Sequence, residues 1–136
     1  MSPGLVWNHD LLLDTHIFLW FSGQPERLNA KIRAALQDPQ NVLFLSVVSV
    51  WELQIKTQTG KLSLPLPLNQ FVPLQRSFNQ IRSLPVIEPH LWRLASLPMH
   101  HRDPFDRLLV AQSLAEEFLL VTTDPILARY PVSLLQ

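Results

Sequence analysis

A chain of 136 residues with no cysteine, 47% hydrophobic and 16% charged, holds enough apolar material for one domain core. That composition excludes a disulfide scaffold, a thiolate metal site and a disordered tail, and the balance of 11 basic against 11 acidic residues means that nucleic acid would be met at a local site, not by a broadly basic surface. The longest apolar run, 17–21, falls far short of the ~20 residues that span a bilayer, and residues 1–10 carry no Lys or Arg of a signal segment, so a cytoplasmic domain is expected.

In chain order, the Leu-Leu-Leu run at 11–13 reads as a short buried strand, followed by an apolar helix through 17–21. Leu28, Ile32, Ala35 and Leu36 have helical spacing, and 42–45 reads as a second strand leading into a helix striped by Val48, Trp51 and Ile55. Phe71, Leu74, Phe78 and Ile81 predict a helix running through Ile81, with a weaker strand at 85–87. Phe105, Leu108, Leu109 and Gln112 predict a further helix with one polar miss, at Gln112. Strands follow at 119–122 and 132–135, the last of them brief because the chain stops at 136. Most of the 12 prolines punctuate these segments. Strands alternating with helices imply parallel pairing through right-handed crossovers, and unbroken apolar strands imply a sheet covered on both faces. The expectation is a single α/β sandwich of about five strands.

In such a sheet, ligands bind outside the carboxyl ends of the strands. Asp14 directly follows the first strand and Asp124 follows 119–122 closely. Glu52 lies in the helix after 42–45, and Asp103 and Asp106 open the helix leading to 119–122. Five acids from four segments are thus placed at one rim.

Each acid also has a purely structural reading. Asp14, Asp103-Pro104 and Asp124-Pro125 suit helix starts, with Asp as N-cap and Pro in the first turn. Asp106 suits a helix's first turn through the dipole. Glu52 follows Ser49 at capping-box spacing and precedes Lys56 by four, a stabilising helix pair. A non-catalytic α/β interaction module whose acids serve as helix caps is therefore the rival to an enzyme. Two observations favour chemistry. Glu52 falls on the apolar stripe, where an unpaired carboxylate is costly, and convergent like charges call for a cation. Oxygen-only ligands suit Mg²⁺ or Mn²⁺, which serve phosphoryl chemistry.

Other chemistries fit less well. The histidines at 9, 16, 90, 100 and 101 show no zinc-ligand spacing. His100, His101 and Arg102 form the loop before the helix of Asp103, which is either a phosphate-contacting loop or an ordinary one. An aspartyl-phosphate phosphatase wants an acid two residues after Asp14, where His16 stands, and a phosphorelay receiver wants an acidic pair that is absent. Trp7, Trp20, Trp51 and Trp92 read as core in preference to base-stacking platforms, although Trp20 and Phe21 also suit a partner-facing surface.

Four blocks resemble those of PIN-domain nucleases of the VapC toxin type. They are Leu11-Leu12-Leu13-Asp14-Thr15-His16; Ser46-Val47-Val48-Ser49-Val50-Trp51-Glu52-Leu53 with Lys56 and Gly60-Lys61-Leu62; His101-Arg102-Asp103-Pro104-Phe105-Asp106-Arg107-Leu108-Leu109; and Thr122-Thr123-Asp124-Pro125. They occur in the family's order and cover nearly the whole chain. The resemblance implies a three-layer PIN-like sandwich over 11–136 with a parallel sheet in the order 3-2-1-4-5. It implies an Mg²⁺- or Mn²⁺-dependent endoribonuclease leaving 5′-phosphate and 3′-hydroxyl ends, a homodimer, and a cognate antitoxin. Residue by residue, Asp14, Glu52, Asp106 and Asp124 become the catalytic and metal-binding acids. Thr15, Asp103 and Thr122 become supporting polar residues beside them, and Lys56 and Arg102 become phosphate contacts. Residues 1–10 depart from the family, as a disordered extension or a misassigned start.

Overall fold

The computed structural model describes residues 9–99 and 103–136. Strand β1 (Asp10–Leu13) begins inside the stretch expected to be an extension, because Val42 N–H donates to His9 O at 2.8 Å and draws the chain into register with β2 (Val42–Ser46). Helix α1 (Thr15–Gly23) follows, then a 3₁₀ turn (Pro25–Arg27) and α2 (Ala30–Gln37). After β2 come α3 (Val47–Gln58) and α4 (Leu68–Asn79), then β3 (Ile81–Leu84), α5 (Glu88–Ala95) and α6 (Pro104–Glu116). The chain ends with β4 (Leu119–Val121), a 3₁₀ turn (Pro125–Arg129) and β5 (Leu134–Leu135). All four strand pairs are parallel, in the order β3-β2-β1-β4-β5.

The alternation within β1 explains the layers. Leu11 and Leu13 face a core shared with Ile17 and Phe18 of α1, Ile32 of α2 and Phe71 of α4. Leu12 faces a second core with Leu109 and Val110 of α6 and Leu120 of β4. Consecutive side chains of a strand point to opposite faces, so an unbroken Leu run is buried on both. Helix α3 contributes Leu53 to the first core and Val48 to the second. It therefore lies across the carboxyl edge of the sheet, where its polar face meets the strand ends.

Several expectations need correction. The helix predicted through Ile81 stops at Asn79, and Gln80 takes a left-handed conformation (φ 54°) that closes it. Ile81 then opens β3, opposite Leu43, so the strand expected at 85–87 lies earlier. No glycine signalled this C-cap, and β3 buries only its two ends, Ile81 and Leu84, which erases the period-two pattern. Helix α5 was not foreseen, because of its residues only His90 is buried while Leu91 and Trp92 are exposed. The helical stripes were also drawn too wide: Trp51, Ile55, Leu74 and Phe78 are exposed, and Trp51 and Trp92 are not core residues. Trp20 is half-buried against the first core. Trp7, His100, His101 and Arg102, with the phosphate contact expected of Arg102, lie outside the described residues.

Candidate active site

The site is assembled at the carboxyl edge of the sheet. Asp14 leaves β1 and caps α1, its Oδ1 accepting from Ile17 N–H at 2.8 Å. Its carboxylate is buried and also takes a hydrogen bond from the Thr122 hydroxyl. That hydroxyl accepts in turn from Asp124 N–H at 3.0 Å, so Thr122, itself fully buried, ties the ends of β1 and β4 together. Asp124 caps the following 3₁₀ turn through Ile126 N–H at 3.0 Å. Asp103 caps α6, accepting from Phe105 N–H at 2.9 Å and Asp106 N–H at 3.3 Å.

Glu52 sits on the inward face of α3 with Val48, Ser49 and Leu53, all buried. Thr15 donates its hydroxyl to Glu52 Oε1 at 2.7 Å, and Lys56 Nζ stands 2.9 Å from Oε2. The capping box expected between Ser49 and Glu52 is not formed: Ser46 caps α3 through Val48 N–H at 3.0 Å, and Ser49 lies inside the helix. Capping therefore accounts for Asp14, Asp103 and Asp124 being aspartates. It does not account for Glu52 or Asp106.

All five acids line one pocket of about 390 Å³, with Thr15, His16, Trp20, Lys56 and Thr123. Larger cavities exist, but the crowding of carboxylates marks this one. Burial pushes the Asp14 carboxyl above the usual aspartate range, opposed by the bonds from Thr122 and Ile17 N–H and by His16, and reinforced by Glu52. Among the described residues no three His, Cys, Asp or Glu side chains close on one point as in a preformed metal centre. The carboxylates instead form the walls of the pocket. Their chemistry fits a hard divalent cation: every acidic donor is oxygen, and Lys56 already sets positive charge against Glu52.

Sequence reasoning missed one feature behind the site. Gln112, the polar residue on an apolar stripe, is fully buried on α6. It accepts from the Ser46 hydroxyl, donates to Pro85 O at 3.2 Å and lies 3.3 Å from His90 Nδ1. Ile87 N–H donates to that same Nδ1 at 3.1 Å, and His90 Nε2 faces Glu116 Oε2 at 2.7 Å. The N-terminus of the Glu52 helix is thereby tied to the helix that carries Asp106. The signal was legible in the polar miss itself.

A parallel α/β sandwich with an acidic pocket at its carboxyl edge defines a class, and comparison gives the family. Residues 11–132 match the PIN domain model, and the chain belongs to the PIN-domain family. It is 27% identical over 115 residues to Ribonuclease VapC22 of Mycobacterium tuberculosis, covering 84% of this chain and 86% of that protein. Its fold resembles VapBC2 from Rickettsia felis, solved bound to a DNA fragment from their promoter, with a TM-score of 0.70 at 16% identity, over 93% of this chain and 97% of that one. A toxin–antitoxin complex from Klebsiella pneumoniae matches with a TM-score of 0.61 at 19% identity, over 93% and 96%.

Proposed function

We propose that the protein is a metal-dependent endoribonuclease, the toxin of a VapC-type toxin–antitoxin pair, which hydrolyses RNA phosphodiester bonds. The observation that carries this reading is the gathering of five carboxylates from four segments in one pocket of a PIN domain, two of them with no capping role. Asp14, Glu52, Asp106 and Asp124 hold the cation, Mg²⁺ or Mn²⁺. When bound, such a cation neutralises phosphate charge and acidifies its water. Thr15 fixes one oxygen of Glu52 and Thr122 orients Asp14. Asp103 shapes the first turn of α6, and Lys56, which lines the same pocket, contacts the phosphate.

The solved relatives named as toxin–antitoxin complexes support a cognate antitoxin as partner. A homodimer is supported by the exposed apolar face of α3, where Trp51 packs edge-on against Phe105 at 5.0 Å yet stays 59% exposed.

The test is incubation of purified protein with RNA under EDTA, Mg²⁺ or Mn²⁺, with mapping of the ends. Divalent-dependent cleavage leaving 5′-phosphates, lost in Asp106→Asn, is the expected result. Cleavage equal in EDTA, or retained by Asp106→Asn, refutes the assignment.

A further inference from the structure

Beside the acidic pocket lies a second cavity of about 630 Å³, and His16, Trp20 and Lys56 line both. The sign of the charge reverses across these shared residues. Among the described residues no acidic side chain lines the second cavity, whereas Arg27, Lys56 and Lys61 do. In a chain of zero net charge this is a local concentration of cations. The Arg27 guanidinium lies 4.8 Å over the ring of Trp20, a contact that holds it in place, and its Nη1 donates to Gln24 Oε1 at 3.3 Å. Lys61 is exposed and makes no ion pair among the described residues. Leu19, Leu62 and Phe71 supply apolar wall between the charges.

A polyanion approaching five carboxylates meets repulsion that an adjoining row of cations offsets. We propose that this groove holds the RNA segment flanking the scissile phosphate, with Arg27 and Lys61 on its backbone phosphates; the inference rests on the ribonuclease reading above. A planar guanidinium grips phosphate oxygens in pairs, and Lys61 adds a point charge. Continuity favours RNA over an acidic peptide. The groove shares His16, Trp20 and Lys56 with the acidic pocket, so an occupant that runs on past them presents a further reacting group there, which the next phosphodiester of a strand does. Phosphate contacts position the strand and carry no base preference.

The test is fluorescence anisotropy of a labelled single-stranded oligouridylate, in EDTA so that it stays intact, at several salt concentrations. The double variant R27Q/K61Q removes two exposed cations, and its melting temperature should stay close to wild type. Affinity should fall about tenfold, and the log–log salt dependence should become shallower by about 1.4, two contacts at roughly 0.7 each for single strands. The charge-conserving R27K/K61R should keep the wild-type salt slope, because the number of cations is unchanged, while losing the part of the affinity that comes from the paired contacts of Arg27. Equal affinity and slope in wild type and R27Q/K61Q overturn the proposal. Tighter binding of poly-L-glutamate, dependent on the same two residues, overturns it in favour of an acidic peptide. Cleavage measured on the same preparations separates the readings. Divalent-dependent cleavage with unaltered binding by the variant refutes the groove alone. Binding that depends on Arg27 and Lys61, without cleavage in any metal, refutes the nuclease and upholds the groove.

Discussion

Replacing Asp14 with asparagine should abolish cleavage and raise stability in the metal-free protein. The Asp14 carboxyl is 8% exposed, and burial lifts its pKa above the ordinary aspartate value. The native state therefore holds its proton more tightly than the unfolded chain. Stability from this group is fully present below the unfolded value and is lost as pH rises through the folded one, so at neutral pH the buried charge works against the fold. Asparagine removes the charge and still offers Oδ1 to Ile17 N–H, capping nearly as well. A net gain in stability is therefore expected, read as a higher Tm for the variant at neutral pH. Thermal melts in EDTA should show the variant ahead at pH 7 and the gap closing on acidification, as wild-type Asp14 takes up its proton. Mn²⁺ should stabilise wild type by mass action and the variant far less. A variant less stable than wild type at pH 7, or a gap that widens in acid, refutes the reasoning. Retained cleavage refutes the site.

Asp103→Ala should lose about 1 kcal/mol, the usual value of an N-cap, with activity reduced only in part, whereas Asp106→Asn should lose activity with stability within about 0.5 kcal/mol of wild type. Urea melts paired with a cleavage assay check this, and the opposite pattern exchanges the two roles. Gln112→Leu leaves the Ser46 hydroxyl proton and Pro85 O without their Gln112 partner, while His90 Nδ1 keeps its bond from Ile87 N–H, so a loss of about 1–3 kcal/mol is expected as a lower urea midpoint at unchanged m. An unchanged midpoint would show that the buried network contributes nothing net. Light scattering should give a dimer at micromolar concentration that Trp51→Glu weakens, and a strict wild-type monomer refutes the α3 interface.

The parts of the fold legible in the sequence were those where burial is complete. The Leu-Leu-Leu run of β1 has every side chain inside a core, so local apolarity alone reported it. Where an element is half-buried, the signal weakened. In β3, Arg82 and Ser83 are exposed between buried ends, and α5 turns most of its apolar residues outward. The end of α4 was illegible for a different reason, since a glutamine occupies the left-handed position that glycine usually announces. Asp14 and Asp124 were legible because the ends of β1 and β4 fix their location whatever the helices do. Glu52 was placed correctly although its supposed stripe was not: the buried face of α3 runs through Val48, Ser49, Glu52 and Leu53, and Trp51 and Ile55 lie outside it. Arg27 carried no local signal, because the groove it lines is made by packing segments distant in sequence.

The capping and catalytic readings of the acids are not alternatives. In a parallel α/β sheet, the carboxyl end of each strand is where the next helix presents its unpaired backbone N–H groups. An aspartate there is held as an anion by those groups and is aimed along the rim by the same bonds. Asp14 and Asp124 each have one carboxylate oxygen fixed in this way, and Asp103 has one fixed by the same kind of bond at the start of α6, which follows α5 and not a strand. The helix ends thus supply both the orientation of the carboxylates and part of the positive potential that lets them crowd together. What they do not supply falls on Glu52 and Asp106. Glu52 projects from mid-helix and needs Thr15 and Lys56 to hold it, and Asp106 depends on the turn that Asp103 builds. If caps alone had selected these residues, an acid on the buried face of α3 would be a liability with no return. A cation in the pocket would reverse that sign, and would do so for Asp14 as well, whose burial outweighs its hydrogen bonds.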